Sequence, residues 1–321
     1  MSGEMESTAA RCPLVSVIIP AYNMAGYIGE SLASVWAQTF TDFEVIVVND
    51  GSPDTEALEA ALAPWRERIV YLTQPNAGPS RARNTALRAA RGEYVSLLDA
   101  DDQWTPDHLA VQMEILLSRP EVDVVYPNGV IFGDSPIAGR EHREFCPSVG
   151  EVTFRSLAAG ECNVMVNITA RRRAVEQAGL FDEELRWCED FDLWLRMAHQ
   201  GSRFVYHSRV LVRVRRHAES ASADGARMIA NQIRVLDKMA RVLPLDAEDR
   251  AVVAARRARC QAELRLAEGR RAFLHGNAGE ARQAVREANQ YFGNPRLRVA
   301  DWLLGVCPGV LRGLYRWRHG V

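Results

Sequence analysis

The stretch YVSLLDADDQW, residues 94–104, decides how the chain folds. Tyr94, Val95, Leu97 and Leu98 read as a buried strand. Asp99, Asp101 and Asp102 follow, separated only by Ala100. Unpaired carboxylates are costly to desolvate, and neighbouring ones repel. Such a cluster is tolerated if it is solvated, if it caps a helix, or if it holds a cation.

Outward from this strand, compact apolar runs recur and each ends in polar, turn-forming residues. Val15–Ile19 ends at Pro20, and EVIVV (44–48) runs into NDGSPD. Ile69–Leu72 runs into TQPNAGPS, and Val122–Tyr126 makes a fifth strand. Between them the spacing is helical: Ile28, Leu32, Val35 and Trp36; Ala57–Trp65; RARNTALRAA with Ser80 as its N-cap; and a helix from about Pro106 to Leu117. Strands of continuous apolar residues alternating with helices predict an α/β fold, a mostly parallel sheet covered on both faces. Residues 127–152 dissolve into Gly, Pro and charge and are expected to form an irregular loop. A helix is expected over Asp190–His199, with short strands at RFVYH and VLVRV. From about Gly225 the pattern is helical only. A break at HGNAG suggests one helical hairpin.

These boundaries give a polar segment over 1–13, an α/β domain over 14–222 and an α-helical extension over 225–321. A chain of 321 residues, 47% hydrophobic, is long enough for this. The net charge of −2 gives no sign of a nucleic-acid partner. Its distribution is uneven: residues 225–321 carry 18 Lys and Arg against 9 Asp and Glu. The six cysteines show no paired or zinc-type spacing. The N-terminus lacks the apolar core of a secretory signal, and no apolar run reaches membrane-spanning length. A cytoplasmic protein is expected.

Ligands of open α/β sheets bind at the carboxyl ends of the strands. PAYN (20–23), NDGSPD (49–54), NAGPSRARN (76–84) and DADD (99–102) should converge there. Neither G-x-G-x-x-G nor G-x-x-x-x-G-K-[ST] is present, which disfavours dinucleotide and P-loop sites. Asp50 is placed to accept from a base N–H or a ribose hydroxyl. Asp99 and Asp101, two apart at a strand end, can direct one carboxylate to ribose and the other to Mg²⁺ or Mn²⁺.

At this point the sequence resembles the family 2 glycosyltransferases of GT-A fold. VSVIIPAYN, VIVVNDGSPD, NAGPSRARNTAL, EYVSLLDADD, GLFDEELRWCEDFDLWLRMA and VRRHAESAS carry the resemblance, in order, over about Leu14–Ser222. The resemblance implies a Rossmann-like, GT-A type sheet and inverting transfer from a nucleotide sugar, most often a UDP-sugar, with a divalent metal. It implies that Pro20, Ala21 and Tyr22 line the base pocket, that Asp50 contacts uracil, and that Gly51 and Ser52 shape the turn. Asp99 and Asp101 match the D-x-D pair, Asp101 as metal ligand, with Asp102 as an alternative helix cap. Glu189 and Asp190 match an E-D motif, with Asp190 as catalytic base and Glu189 orienting the acceptor. By position alone the two read as helix N-terminal carboxylates. His217 matches a downstream R-x-H element, as metal ligand or diphosphate contact, and a lone His is otherwise structural. Arg83 is a donor-site candidate or a salt-bridge partner, Arg81 likewise; Arg215 and Arg216 are phosphate candidates by charge. Trp194 reads as core.

The expected acceptor is a glycan or lipid-linked hydroxyl in cell-envelope or exopolysaccharide synthesis. Trp302, Leu303, Val306, Val310, Leu314 and Tyr315 lie near Arg296, Arg298, Arg312, Arg316 and Arg318. That pattern suits peripheral contact with the inner face of the membrane, or packing on the domain, or a dimer contact. A nucleotidyltransferase and a non-catalytic scaffold are the rival readings. The first usually has a Gly-rich, basic loop after strand one, where this chain has PAYN.

Overall fold

The structure, a computed structural model, describes residues 12–217, 220, 224–309 and 311–313. The chain divides into two compact units. One runs to Leu157, resumes at Glu161 and ends just past the last strand; the other holds 158–160 and the helices that follow that strand.

The first unit is an eight-stranded mixed sheet flanked by helices. Strands β1 (Val15–Ala21), β2 (Phe43–Asp50), β3 (Val70–Gln74) and β4 (Tyr94–Leu97) form its parallel half in the order β3-β2-β1-β4. Helices α1 (Ile28–Trp36) and α2 (Thr55–Leu62) bury Ile28, Leu32, Val35, Leu58 and Leu62 in one core with Val15, Val17, Val45 and Val47. Helix α3 (Pro79–Ala89) also packs on β1 and β2, with Ala82, Ala86 and Leu87 buried, and the alternate strand residues Ile18, Ile46 and Val48 are buried too. Cover on both faces is why these strands are apolar throughout rather than alternating.

The second half of the sheet departs from the parallel pattern. Beyond β4 come β7 (Thr169–Arg171), β6 (Val124–Gly133), β8 (Phe204–Arg216) and β5 (Gln103–Trp104). Strand β7 is antiparallel to both β4 and β6, β6 is parallel to β8, and β5 is antiparallel to β8. Helices α4 (His108–Ser118), α5 (Phe154–Ala159), α6 (Arg172–Gln177) and α7 (Glu189–His199) connect them.

Four expectations are corrected. Strand β1 does not stop at Pro20 but continues to Ala21, because the Ile18 carbonyl accepts from Leu98 on the β4 side, and Pro20, two residues on, points its missing donor past the last β4 pair. Residues 127–152 are not wholly irregular: β6 carries on through Pro127 to Gly133. RFVYH and VLVRV are one strand, because His207–Arg209 bulge opposite Pro127 and the ladder resumes at Asn128 and Val210. Ser80 is not an N-cap: Gly78, at φ +91°, holds that position, and the Ser80 hydroxyl donates to the Leu185 carbonyl.

The second unit is helical: α8 (Gly225–Val242), α9 (Ala247–Leu274), α10 (Ala278–Phe292) and α11 (Pro295–Val306). Neighbours pack in sequence order, and α9 and α10 form the hairpin at HGNAG. Asp224, Asp246, Asn277 and Asn294 cap the four helices through their side chains. Among the described residues no helix is long and apolar enough to cross a membrane. Val310, Leu314, Tyr315, Arg316 and Arg318 lie outside the described residues.

Candidate active site

The ends of β1, β2 and β4 carry Pro20–Tyr22, Asp50–Ser52 and Asp99–Asp102. The turn after β2 is wired internally. The Asn49 side chain accepts from the Ser52 amide at 2.8 Å and donates to Thr55 and Tyr71, each at 3.0 Å. The Ser52 hydroxyl donates to Asp54 and accepts from the Asn23 amide, and the other Asp54 oxygen accepts from the Ala25 amide at 2.9 Å. The β2 turn thereby fixes the β1 loop that carries Tyr22, which is 46% exposed and presents its ring to solvent. Ala21 is buried and Pro20 half-buried.

Gly51 sits at φ +62°, and a Cβ there would lie 2.5 Å from the Asn76 amide nitrogen. That close approach brings the 76–78 loop to Asp50. Asp50 accepts from Gln74 Nε2 at 2.7 Å and from the Ala77 and Gly78 amides at 3.0 and 2.8 Å. A carboxylate has about four acceptor positions, so about one stays open for a ligand. Most of Asp50's capacity shapes the site rather than facing a substrate.

Arg83 joins two of the predicted carboxylates. Its guanidinium is buried, with Nη2 2.7 Å from Asp99 and Nη1 2.5 Å from Glu189. Burial opposes its charge, but Asp99 and Glu189 together outweigh this and raise its pKa. Both terminal nitrogens are committed, and the buried Nε has no partner. Arg83 therefore ties α3 to the end of β4 and to the start of α7. Arg81 makes an exposed pair with Glu183 at 3.6 Å.

Glu189 and Asp190 open α7, after Cys188 in the left-handed region at φ +58°. Asp190 accepts from the Phe191 amide at 2.7 Å. Burial, reinforced by the charge of Glu189, pushes its pKa up to about 7, against the opposing pull of Phe191 and Arg83. A carboxyl group poised there exchanges a proton near neutrality. Trp194 is buried in the core, as its apolar setting suggested.

The three aspartates after β4 take different parts. Asp99 holds Arg83. Asp102 is buried and accepts from the Arg215 amide at 2.9 Å and Asn167 Nδ2 at 2.8 Å; burial and then Asp101 raise its pKa well above the usual carboxylate range. It does not cap the next helix, where Asp107 occupies the N-cap position. Asp101 faces His217, with 3.2 Å between Oδ2 and Nε2. Burial and the charge of Asp99 raise the Asp101 pKa.

The meeting of Asp101 and His217 follows from strand register. Gln103 pairs with Arg213 and Trp104 with Val212, antiparallel, so the residues before Gln103 run beside those after Arg213. Arg215, a phosphate candidate by charge, is spent locally: it donates to the Asp101 carbonyl at 2.9 Å and to Glu30 at 2.6 Å. The His217 ring stacks on Tyr27 with centroids 5.1 Å apart. Carboxylate oxygen and imidazole nitrogen converging in this way fit a divalent cation. Among the described residues no cluster of three or more His, Cys, Asp or Glu side chains forms.

Sequence reasoning passed over Asn49, Asp54, Gln74 and Tyr27. Asn49 and Asp54 left a signal, Asn and Asp bracketing Gly-Ser-Pro as side-chain-bonded turn residues. Tyr27 left none, because its partner is 190 residues away along the chain.

Comparison with known proteins gives this geometry a family. An uncharacterized glycosyltransferase of Rickettsia prowazekii is 34% identical over 218 residues, 64% of this chain and 65% of that protein. The succinoglycan biosynthesis protein ExoW of Rhizobium meliloti is 50% identical over 100 residues, 30% of this chain and 31% of that protein. The chain thus spans less than two thirds of either relative. The crystal structure of S. aureus TarS 1–349 in complex with UDP-GlcNAc superimposes with a TM-score of 0.60 at 21% identity, over 85% of this chain and 81% of that one, a likeness of fold. The family model described as Glycosyl transferase family 2 matches residues 16–177, half of the chain, and the chain belongs to that family.

Proposed function

We propose that the chain transfers a sugar from a nucleotide-sugar donor, a UDP-sugar, to a hydroxyl acceptor with inversion, in the synthesis of an envelope or exported polysaccharide. The observation that carries the reading is geometric: Asp190 opens α7 beside Glu189, which Arg83 ties to Asp99 at the end of β4. ExoW supports the polysaccharide context by its name, and the TarS complex supports a UDP-sugar. Acceptor chemistry, glycan or lipid-linked, belongs to the proposal. So does the assignment of 14–222 as the catalytic domain and 225–321 as a helical extension.

In this reading the nucleobase stacks on Tyr22, over Pro20 and Ala21, and donates an N–H hydrogen bond to the open acceptor position of Asp50. Gly51 and Ser52 hold the turn that allows it. Asp101 and His217 would hold the divalent cation, which supplies charge to stabilise the departing diphosphate. A carboxylate with an imidazole suits Mn²⁺ better than Mg²⁺, which favours all-oxygen sets. Asp99, fixed by Arg83, presents its second oxygen to the ribose. Asp190 takes the proton from the acceptor hydroxyl as that oxygen attacks the anomeric carbon opposite the leaving group. Glu189, held by Arg83, orients the acceptor side of the site.

A stereochemical assay tests this. Proton NMR of the product should show inverted anomeric configuration. Asp190→Asn should lower kcat by about 10²–10⁴-fold, the range for losing a general base, with donor affinity unchanged. Retained configuration, or an Asp190→Asn variant of wild-type rate, would refute the role.

A further inference from the structure

Helix α11 is apolar on two sides. Its inner side places Leu297, Ala300 and Leu304 in a core with Phe273, Ala281 and Val285. Its outer side leaves Val299, Trp302 and Val306 exposed by 57%, 60% and 63%. Spacings of three and four residues set these on one stripe. A helix apolar all round is ordinarily covered all round.

The charge beside that stripe has one sign. Arg296 and Arg298, near the start of the helix, are exposed. Asp301 is the only acidic residue of α11, and it is turned toward α10, where Arg282 and Arg286 both donate to its Oδ1 at 2.8 Å. The outer surface of α11 is therefore apolar and cationic with no acid among its described residues. Residues 225–321 as a whole carry twice as many basic as acidic side chains, 18 against 9.

We infer that the outer side of α11 docks on an anionic phospholipid surface. Val299, Trp302 and Val306 enter between the headgroups, and Arg296 and Arg298 meet the phosphates. Tryptophan suits this boundary, having an apolar body and a polar edge. The docking belongs to the helical unit alone and stands independently of the donor reading.

Co-sedimentation of the full-length chain with vesicles tests it. One set is phosphatidylcholine with about one third phosphatidylglycerol, the other phosphatidylcholine alone. The wild type should bind the anionic set about tenfold more tightly, and added salt should release it. Val299→Asp with Trp302→Asp should abolish binding, and reversing Arg296 and Arg298 to Glu should weaken it about fivefold per residue. Circular dichroism and thermal melting confirm that the variants fold. Equal binding to both vesicle sets, no binding to either, or unimpaired binding by the folded aspartate variant would overturn the inference. So would a stable dimer in sedimentation velocity that the aspartate variant dissociates, since that assigns the face to a second copy.

Discussion

At the scale of single residues the site is a chain of charges. Arg83 joins Asp99 to Glu189, and Glu189 raises the pKa of its neighbour Asp190. Asp190 must be deprotonated to act as a base, so activity should fall as pH drops through about 7. The charged groups acting on Asp190 are Glu189 and Asp99, which raise its pKa, and Arg83, which lowers it. Glu189→Gln removes the larger raising charge and leaves the lowering one. The acidic limb of the kcat profile should then move to lower pH. An unmoved or upward-shifted limb would show that Glu189 does not set the base. The aspartates were legible in the sequence as a group, but their division of labour was not. Asp99, Asp101 and Asp102 differ because each meets a partner at least 16 residues away: Arg83, His217, and Asn167 with Arg215. No local pattern encodes such pairings.

At the scale of elements, the parallel half of the sheet was readable because β1, β2 and β4 are short, apolar and ended by polar turns. The far half hid behind bulges. Pro127 and the polar stretch His207–Arg209 each resemble a chain break, yet they lie opposite one another, and a second register shift follows between Asn128 and Gly129. Helix α7 was foreseen, but not what anchors it. Asp192 is fully buried and accepts from Arg196 Nε and Nη2 at 2.9 and 2.7 Å. Arg196 also donates to the carbonyls of Ala178 and Leu180, in a turn where Leu180 stands at φ +61°. Asp192→Ala leaves a buried cation short of its partner, a loss on the order of 3–5 kcal/mol. Urea unfolding should register it as a lower midpoint with an unchanged slope. A loss below about 1 kcal/mol would place the pair among dispensable surface bridges.

At the scale of the whole molecule, sequence and structure agree on a Rossmann-like sheet followed by helices, and the family match covers 16–177. The helical unit lies outside the family match. Its role is argued from α11, whose two apolar sides become distinguishable only when packing shows which is covered. Under the proposed function the first unit binds and cleaves a metal-bound nucleotide sugar. That is tested most directly by release of nucleoside diphosphate from a panel of UDP-, GDP- and dTDP-sugars, with Mn²⁺, Mg²⁺ or EDTA. Slow release from a UDP-sugar is expected, best with Mn²⁺, abolished by EDTA and by Asp101→Ala. Release that persists in EDTA, or the absence of both release and calorimetric binding for every donor with metal, would contradict it.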